Sequence, residues 1–580
     1  MRGGPNARFM TEGWQADEAT VRFIHHLSLQ NALQYEGKAA VGSVISRIMG
    51  SCADLRQHGQ AVAGLVAQHV AQANAMAKEE GLEAIRDLLA SEAPDLLATK
   101  AKQAKREGLP PLEGAQDGNV VLRFAPNPNG PLSFGHARGL VINAAYRAMY
   151  NGTLILRFDD TDTKVKPPML EAYEQIEKEA TWLMGRAPER IVIASDRMDV
   201  YHQHAVRLLT EGHGYVCTCP AEVFKTHRVG QTNCPCRDNS IDANLEGWRL
   251  MNDGTHQPGD AVVRVRTDMT LKNPALRDWP ALRIQDTTAH PHPRPEVGSK
   301  HRVWPLLDFQ SAVEDHLQGV THIIRGKDLM DSTRKQSLLY DHFGWTYPET
   351  MYWGRVKVHE WGGFSTSAMR ADIEAGTYEG WDDPRLPTIA ALRRRGIQAE
   401  ALRAFWLELA ITQKDIAVPL ATLYSHNTSV VDANAHRLAF VRDPVPLSLH
   451  NAPEEATLVA FPDDAERDVR RLDLSLGEVL IEAEDLQDPA PFRLKDLGDV
   501  EKEDGALHLT SLERSDSRRI LHWTTPDATE AVLMVVNDGH IHNVKGRLEP
   551  HDLPSGAVVQ LERIGYAILL DDHRLLMMHE

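Results

Sequence analysis

Long apolar runs are absent from this 580-residue chain. Without about 18 consecutive apolar residues, a membrane-spanning helix is not expected. Met1 to Gly13 is polar and glycine-rich and lacks the apolar centre of a secretory signal, so the expected location is the cytoplasm. Positive charge is also short: 63 Lys and Arg stand against 81 Asp and Glu, a net charge of −18. That deficit argues against a protein that coats nucleic acid through its overall charge. A local basic groove stays open, because a phosphate feels side chains within a Debye length of roughly 8–10 Å. The acidic excess fits a salty cytoplasm or plain solubility equally well. Cysteine is scarce, yet four of the five cysteines fall between Cys217 and Cys236. A disulfide framework is not expected in a large cytoplasmic chain, so the clustering points to metal.

What is present is an ordinary globular composition, 42% hydrophobic and 25% charged. The length exceeds one core and implies roughly three to five domains. From about 17 to 105 the chain is rich in Ala, Leu, Val, Gln and Glu, and the apolar spacing in Ala61 to Glu79 and Leu82 to Leu89 predicts helices. Gly108-Leu-Pro-Pro-Leu112 then reads as a linker. Val120 to Ala125 and Thr153 to Phe158 read as buried strands, with a helix from Gly135 to about Tyr150 between them, stopped at Asn151-Gly152. A helix from about Pro168 to Met184 and a strand near Ile191 to Ala194 continue the alternation, which predicts a parallel sheet of Rossmann type. The cysteine-bearing stretch from 213 to 300 interrupts it, and it resumes near His301. Trp381 to Ala417 reads as helical, and from about Val431 short strands and turns predict β-barrels.

Arg123-Phe-Ala-Pro-Asn-Pro-Asn-Gly-Pro-Leu-Ser-Phe-Gly-His136 joins a predicted strand to a predicted helix. The free N–H groups and partial positive charge of a helix start suit phosphate. Gly135 would let a nucleotide approach the backbone, and His136 would donate to a phosphate as charge develops. A single Gly-His pair would be only an ordinary strand-turn-helix. This string, however, resembles the first signature of class I aminoacyl-tRNA synthetases, in the glutamyl and glutaminyl branch. Arg157-Phe-Asp-Asp-Thr-Asp162, Thr321-His-Ile-Ile-Arg-Gly-Lys-Asp328, Glu379-Gly-Trp-Asp-Asp-Pro-Arg-Leu-Pro-Thr388 and Leu392-Arg-Arg-Arg-Gly396 match the same branch in order. The resemblance covers about residues 20 to 580. The helical N-terminal extension and Ser365-Thr-Ser367 look most like the archaeal type of glutamyl-tRNA synthetase.

The resemblance implies a multidomain chain of mixed α/β and all-β class. It places a helical extension over 1–115, the two halves of a Rossmann catalytic domain over 116–212 and 301–350, and an acceptor-end-binding insert over 213–300. A signature loop with a stem-contact domain follows over 351–430, and anticodon-binding barrels over 431–580. It also implies an ATP site drawing on Pro126, Asn127, Asn129, Gly130, Gly135, His136, Arg355 and Lys357, with ATP bound as its Mg²⁺ complex. Ser133, His136, Ser365, Thr366 and Ser367 are the expected catalytic group. Two departures stand out. The family signature reads His-Ile-Gly-His, and here Ser133 replaces the first histidine. The second signature, Lys-Met-Ser-Lys-Ser in the family, corresponds to Gly363-Phe-Ser-Thr-Ser367 followed by Ala368, without its lysine. Lys357, Arg355 and Arg370 are the nearest replacements in sequence for neutralising pyrophosphate.

Glutamate brings one ammonium and two carboxylates, so its site needs an acid and at least two cationic or multiply donating groups. By resemblance Arg123 holds a carboxylate, Asp159 receives the ammonium, and Arg325 takes the side-chain carboxylate where the glutaminyl branch carries a small or neutral residue. For any one of them alone a surface or structural ion pair is the better reading, but placed jointly on the matching motifs they read as ligands.

Cys217-Thr-Cys219 and Cys234-Pro-Cys236 could complete a tetrahedral structural zinc site, with His213 and His227 as substitutes, or could simply be reduced thiols near a turn. The expected partners are tRNA-Glu, with tRNA-Gln as a second acceptor, ATP and L-glutamate, on a monomeric protein. Arg393, Arg394 and Arg395 read as a solvated run, with phosphate contact from one or two of them. Three alternatives accompany the main reading: a glutaminyl-tRNA synthetase, a catalytically weak tRNA-binding paralogue, and a small-molecule nucleotidylyltransferase, which the long barrel region disfavours.

Overall fold

The computed structural model describes residues 16–580 except 36, 53–54, 56–57, 98–107, 362–364, 465 and 515–517. Met1 to Gly13, Gly363 and Phe364 therefore lie outside the described residues. The chain divides into two compact units, 1–107 and 108–580.

In the first unit the helices are Glu18–Gln34, Val41–Ser51, Gly59–Glu79, Gly81–Glu92 and Pro94–Leu97. Apolar residues three or four apart, such as Val62, Val66, Val70 and Ala73, face one core with Ile24, Leu27 and Ile85.

The second unit begins with 108–112, which is fixed to the body that follows. The Leu112 N–H donates to the Tyr150 hydroxyl at 2.9 Å, and the Tyr146 hydroxyl donates to the Pro110 carbonyl at 2.8 Å. Val121–Phe124, Thr153–Phe158 and Arg190–Ile193 form a parallel sheet with the middle strand at its centre. A second parallel pair, His322–Gly326 and Glu349–Trp353, abuts its edge. The Thr321 N–H donates to the Val121 carbonyl at 3.0 Å, and the Val121 N–H donates to Thr321 Oγ1 at 2.9 Å. Along the sheet the strands therefore run third, second, first, fourth, fifth. In such a doubly wound sheet the crevice opens where the order reverses, outside the carboxyl ends of the strands. Here that point lies between Phe124 and Gly326.

The inserted segment is antiparallel: Gly214–Cys217, Val262–Val265, Pro280–Ile284 and Val303–Pro305, with helices Ala221–Gly230 and Ile241–Asp253. Between 381 and 417 the continuous helical reading fails. Pro384 and Pro387 keep the first part extended or turned, Ile389–Arg394 is a short helix, and Gly396 at φ +88° ends it. Ala399–Leu409 is helical, and Ile416–Val418 is a strand. Nor is Arg395 solvated. It is buried and donates to the Tyr424 hydroxyl at 2.9 Å and the Met578 carbonyl at 3.0 Å.

The C-terminal region holds a seven-stranded and a six-stranded sheet. In the first, His436–Leu438 and Phe440–Arg442 lie at opposite ends of the strand order, although Ala439 alone separates them in sequence. The sheet is thereby curled into a barrel-like shape. No described helix is long and apolar enough to cross a membrane.

Candidate active site

The helix Phe134–Met149 starts from a reciprocal cap. Ser133 Oγ accepts from the His136 N–H, and the Ser133 N–H donates to His136 Nδ1 at 3.2 Å. With Nδ1 accepting, the ring proton sits on Nε2 and the imidazole is neutral. Burial pushes His136 below the usual imidazole range, and the Lys166 charge adds to this. The arrangement supplies one neutral N–H donor beside the free amides of a helix start. Ser133, standing where the family signature has its first histidine, thus serves as the helix cap.

Three contacts fix the loop before this helix. Asp159 donates its N–H to the Pro126 carbonyl at 3.1 Å, Met169 to the Pro128 carbonyl at 2.8 Å, and the Leu132 N–H reaches Glu179 at 2.8 Å. Burial raises the Glu179 carboxyl to about 7. Gly130 sits against the second signature: a Cβ added there would stand 2.6 Å from Thr366 Cγ2. The two signature segments therefore touch only because residue 130 has no side chain. Ser365 caps the helix Thr366–Glu374, accepting from the Ala368 N–H at 3.2 Å.

A cavity of about 680 Å³ opens at the crevice. Of the residues singled out in sequence, Arg123, Pro126, Asn127, Asn129, Gly135, His136, Asp159, Arg325, Ser365, Thr366 and Ser367 line it. A neighbouring cavity of about 890 Å³ is lined by Ser133, Arg355 and Lys357, together with Trp353, Val356 and Trp361. Gly135 and Thr366 line both, and a Cβ at Gly135 would meet only Ser133 Oγ at 3.8 Å. Arg370 lines neither cavity and pairs with Glu374 at 2.9 Å.

The floor of the first cavity is a buried charge cluster. Arg157 spans Asp159, with Nε to Oδ1 at 2.7 Å, and Asp315, with NH1 to Oδ1 at 2.6 Å. Arg123 Nε donates to the same Asp315 oxygen at 3.2 Å. Arg325 donates to Gln336 at 2.9 Å and to the Tyr347 hydroxyl at 2.8 Å, while its buried Nε has no partner among the described residues. Burial pushes the Asp315 carboxyl up, but Arg123, Arg157 and Arg325 outweigh it and hold it below the usual range. For Asp159 burial wins and its carboxyl lies above that range, although Arg157 opposes the shift. Three buried guanidiniums against two buried carboxylates leave one positive charge. Sequence reading missed Asp315, Gln310 and Lys166. Arg157 lay inside a quoted motif, but nothing in its spacing marked it as the bridge between the two aspartates.

Far along the chain, the four sulfurs of Cys217, Cys219, Cys234 and Cys236 lie within 4.8 Å of one another. The Cys217–Cys234 and Cys219–Cys236 separations are 4.0 and 3.7 Å. A tetrahedron of thiolates around zinc, with bonds of about 2.3 Å, puts sulfurs about 3.8 Å apart, whereas a disulfide needs about 2.05 Å. The donor set and spacing fit zinc.

Known proteins resemble this arrangement over nearly its whole length. The model for the catalytic domain of class I tRNA synthetases (E and Q) matches residues 119–433, and that for their anticodon-binding domain matches 435–510. A glutamate–tRNA ligase of Methanosarcina acetivorans is 43% identical over 561 residues, 94% of this chain and 96% of that one. Another from Archaeoglobus fulgidus is 41% identical over 549 residues, 93% of this chain and 95% of that one. A crystal structure of a glutamate tRNA ligase from Elizabethkingia meningosepticum aligns with TM-score 0.40 and 19% identity, over 54% of this chain and 70% of that chain. The chain belongs to the class I aminoacyl-tRNA synthetases of the glutamate and glutamine branch, ligases among which the archaeal glutamate–tRNA ligases are its relatives.

Proposed function

We propose that this protein activates L-glutamate with ATP and transfers it to the 3′ end of tRNA-Glu. The observation that carries the specificity is the single surplus positive charge in the cavity floor. Glutamate, with one ammonium and two carboxylates, brings the complementary single negative charge. Glutamine has no net charge and would leave the surplus buried and uncompensated, which costs a few kcal/mol. Arg325, with its unpartnered Nε, meets the side-chain carboxylate. Arg123 takes the α-carboxylate side, and Asp159 receives the ammonium.

Enzymes of this family use ATP with a divalent metal. The α-carboxylate attacks the α-phosphorus, and pyrophosphate leaves. The terminal adenosine's 2′-hydroxyl then attacks the acyl carbon and releases AMP. The side chains position the reactants and stabilise charge, and none becomes a covalent intermediate. His136 Nε2–H and the amides of the Phe134–Met149 helix start face the phosphates, with Ser365 to Ser367 opposite. The neighbouring cavity, walled by Trp353, Val356 and Trp361, suits the adenine base, and Gly135 leaves room between the two.

The readings at finer detail go together. The insert handles the acceptor end, the region after 351 contacts the inner stem, and the C-terminal barrels read the anticodon. The four cysteines hold one structural zinc ion, whose ligation would tie the strand Gly214–Cys217 to the loop at 234–236. The protein works as a cytoplasmic monomer and also loads tRNA-Gln.

The test is aminoacylation by the purified protein with labelled glutamate or glutamine on separate tRNA-Glu and tRNA-Gln transcripts. Glutamate loading of tRNA-Glu is expected, and the second transcript measures how strictly the anticodon is read. Loading of glutamine would overturn the role given to Arg325. Binding of tRNA without loading would favour the binding-paralogue reading, because Ser133 and Ala368 depart from the signatures.

A further inference from the structure

The second signature of this chain carries hydroxyls and no lysine, so the negative charge that develops on the departing pyrophosphate needs another cation. Arg355 and Lys357 line the neighbouring cavity, and Arg370 is paired with Glu374. Within the cavity that holds His136 and Ser365 to Ser367, Arg123 and Arg157 are committed to buried aspartates, and Arg325 to Gln336 and Tyr347. The remaining lining cation is Lys166.

Lys166 sits on the exposed stretch of the segment that follows the acidic motif. That segment is anchored on both sides. Asp162 Oδ1 accepts from the Lys164 and Val165 N–H groups at 3.0 and 2.9 Å, Pro167 and Pro168 stiffen the exit, and the Met169 N–H returns to the Pro128 carbonyl of the nucleotide loop at 2.8 Å. Lys166 lines this cavity together with His136, whose proton affinity burial holds down first and the Lys166 charge second. No hydrogen bond or ion pair engages Lys166 among the described residues. An unpaired ammonium on a stiffened loop, lining the same cavity as a neutral imidazole donor, has the chemistry of a phosphate ligand.

We propose that Lys166 binds the β- and γ-phosphates of ATP and neutralises the pyrophosphate as it leaves, in place of the lysine missing from the second signature. The proposal rests on the reading of this cavity as the site of activation. As the glutamate carboxylate oxygen bonds to the α-phosphorus, the bond from that phosphorus to the bridging oxygen breaks. The electron pair goes to pyrophosphate, and Lys166 meets that charge without transferring a proton.

The test is ATP–pyrophosphate exchange with glutamate and tRNA-Glu at saturation, for Lys166→Ala, Lys166→Arg, Lys164→Ala and His136→Asn. Lys166→Ala is expected to lower kcat roughly 10- to 100-fold and to raise the KM for pyrophosphate, while leaving the KM for glutamate unchanged. That loss is smaller than the ~10²–10³ of a buried oxyanion donor, because solvent and salt screen an exposed ammonium. Lys166→Arg should keep most of the rate. Lys164→Ala, outside the cavity lining, should be neutral, and melting temperatures should not move. If His136→Asn abolishes exchange while Lys166→Ala does not slow it, Lys166 is no phosphate ligand and the cavity reading stands. If neither variant slows exchange, the cavity reading itself falls. A raised KM for tRNA with unchanged exchange would assign the lysine to the nucleic acid backbone and overturn the proposal.

Discussion

Replacing Gly130 by alanine tests whether catalysis depends on contact between the two signature segments. The new Cβ would lie 2.6 Å from Thr366 Cγ2 and 3.3 Å from the Trp381 ring. Gly130 has no positive φ, so its backbone accepts alanine without strain. The whole cost therefore falls on the contact. Thr366 is β-branched, opens the helix Thr366–Glu374 behind the Ser365 cap, and has no long side chain to swing aside. Relieving roughly 1 Å of overlap by moving this helix start costs about 1–3 kcal/mol, as overpacking does. If closure of the signature loop carries that cost, exchange slows roughly 5- to 150-fold. Thr366→Ser removes the methyl group that the alanine strikes. Gly130→Ala should therefore be nearly harmless in a Thr366→Ser background, a coupling of about 1–2 kcal/mol in the double-mutant cycle. ATP–pyrophosphate exchange on the four proteins gives the cycle, and melting curves separate lost catalysis from lost folding. Equal losses in both backgrounds would refute the reasoning, as would no loss at all.

Arg325→Ala should lower kcat/KM for glutamate roughly 10- to 150-fold, the 1.5–3 kcal/mol of a hydrogen bond to a charged group, while that for glutamine changes little; equal losses for both amino acids would contradict the charge argument. Glu549 is buried, and burial raises its carboxyl to about 7 despite Arg470 NH1 at 2.6 Å. The folded state therefore holds a proton between the ordinary carboxylate range and pH 7 that the unfolded chain has lost, so this group's contribution to stability falls as pH rises through that window, by roughly 3 kcal/mol at most. Glu549→Gln should flatten the melting temperature between pH 5 and pH 8, and an unchanged pH profile would show the carboxylate to be ordinary. Elemental analysis should find one zinc per chain, lost in a Cys217→Ser/Cys236→Ser variant that melts earlier and binds tRNA more weakly without a change in the KM for glutamate.

The Rossmann alternation was legible because hydrophobic runs and turn residues are local signals. The strand Thr153–Phe158 and the helix ending at Met149 fall where the sequence puts them, within a residue. Parallel strands buried on both faces carry few polar interruptions to confuse the pattern. Helical periodicity misled between 381 and 417 because Leu386, Ile389, Leu392 and Ile397 are all buried, though only part of that stretch is helical. Burial depends on the neighbours of each turn, and periodicity alone does not distinguish a helix from a proline-fixed loop packed on a core. Arg395 was misread for the same reason: its partners, Tyr424 and Met578, lie far along the chain. Lys166 and Asp315 carry no signal of their own. Asp315, on the helix Leu307–Leu317, meets Arg123 and Arg157 across 192 and 158 positions, and only the folded chain brings them together.

Those long-range pairings explain why so short a polar run can organise the site. From 159 to 163 nearly every side chain is buried, which is affordable only where each polar group finds partners. Asp159 turns toward the cavity and meets Arg157 and Gln310. Asp160 turns the other way and accepts from the Ser195 and Tyr173 hydroxyls, each at 2.6 Å, and from the Ser195 N–H at 2.8 Å. Next along the run, the Thr161 carbonyl and the Thr163 hydroxyl are both held by Gln285, which follows the Pro280–Ile284 strand of the insert. His292, also from the insert, packs its Nε2 against the Asp160 carbonyl at 3.2 Å. The run thus lines the cavity with the Asp159 side chain and fastens the inserted sheet through the Asp160 and Thr161 carbonyls and the Thr163 hydroxyl. A shift of the insert would strain the backbone that aims Asp159, and through Met169 it would also strain the loop that carries Asn127 and Asn129. Fixing the inserted sheet and fixing the cavity floor are therefore one structural act in this chain, and that accounts for why buried charge is tolerated so close to the edge of the sheet.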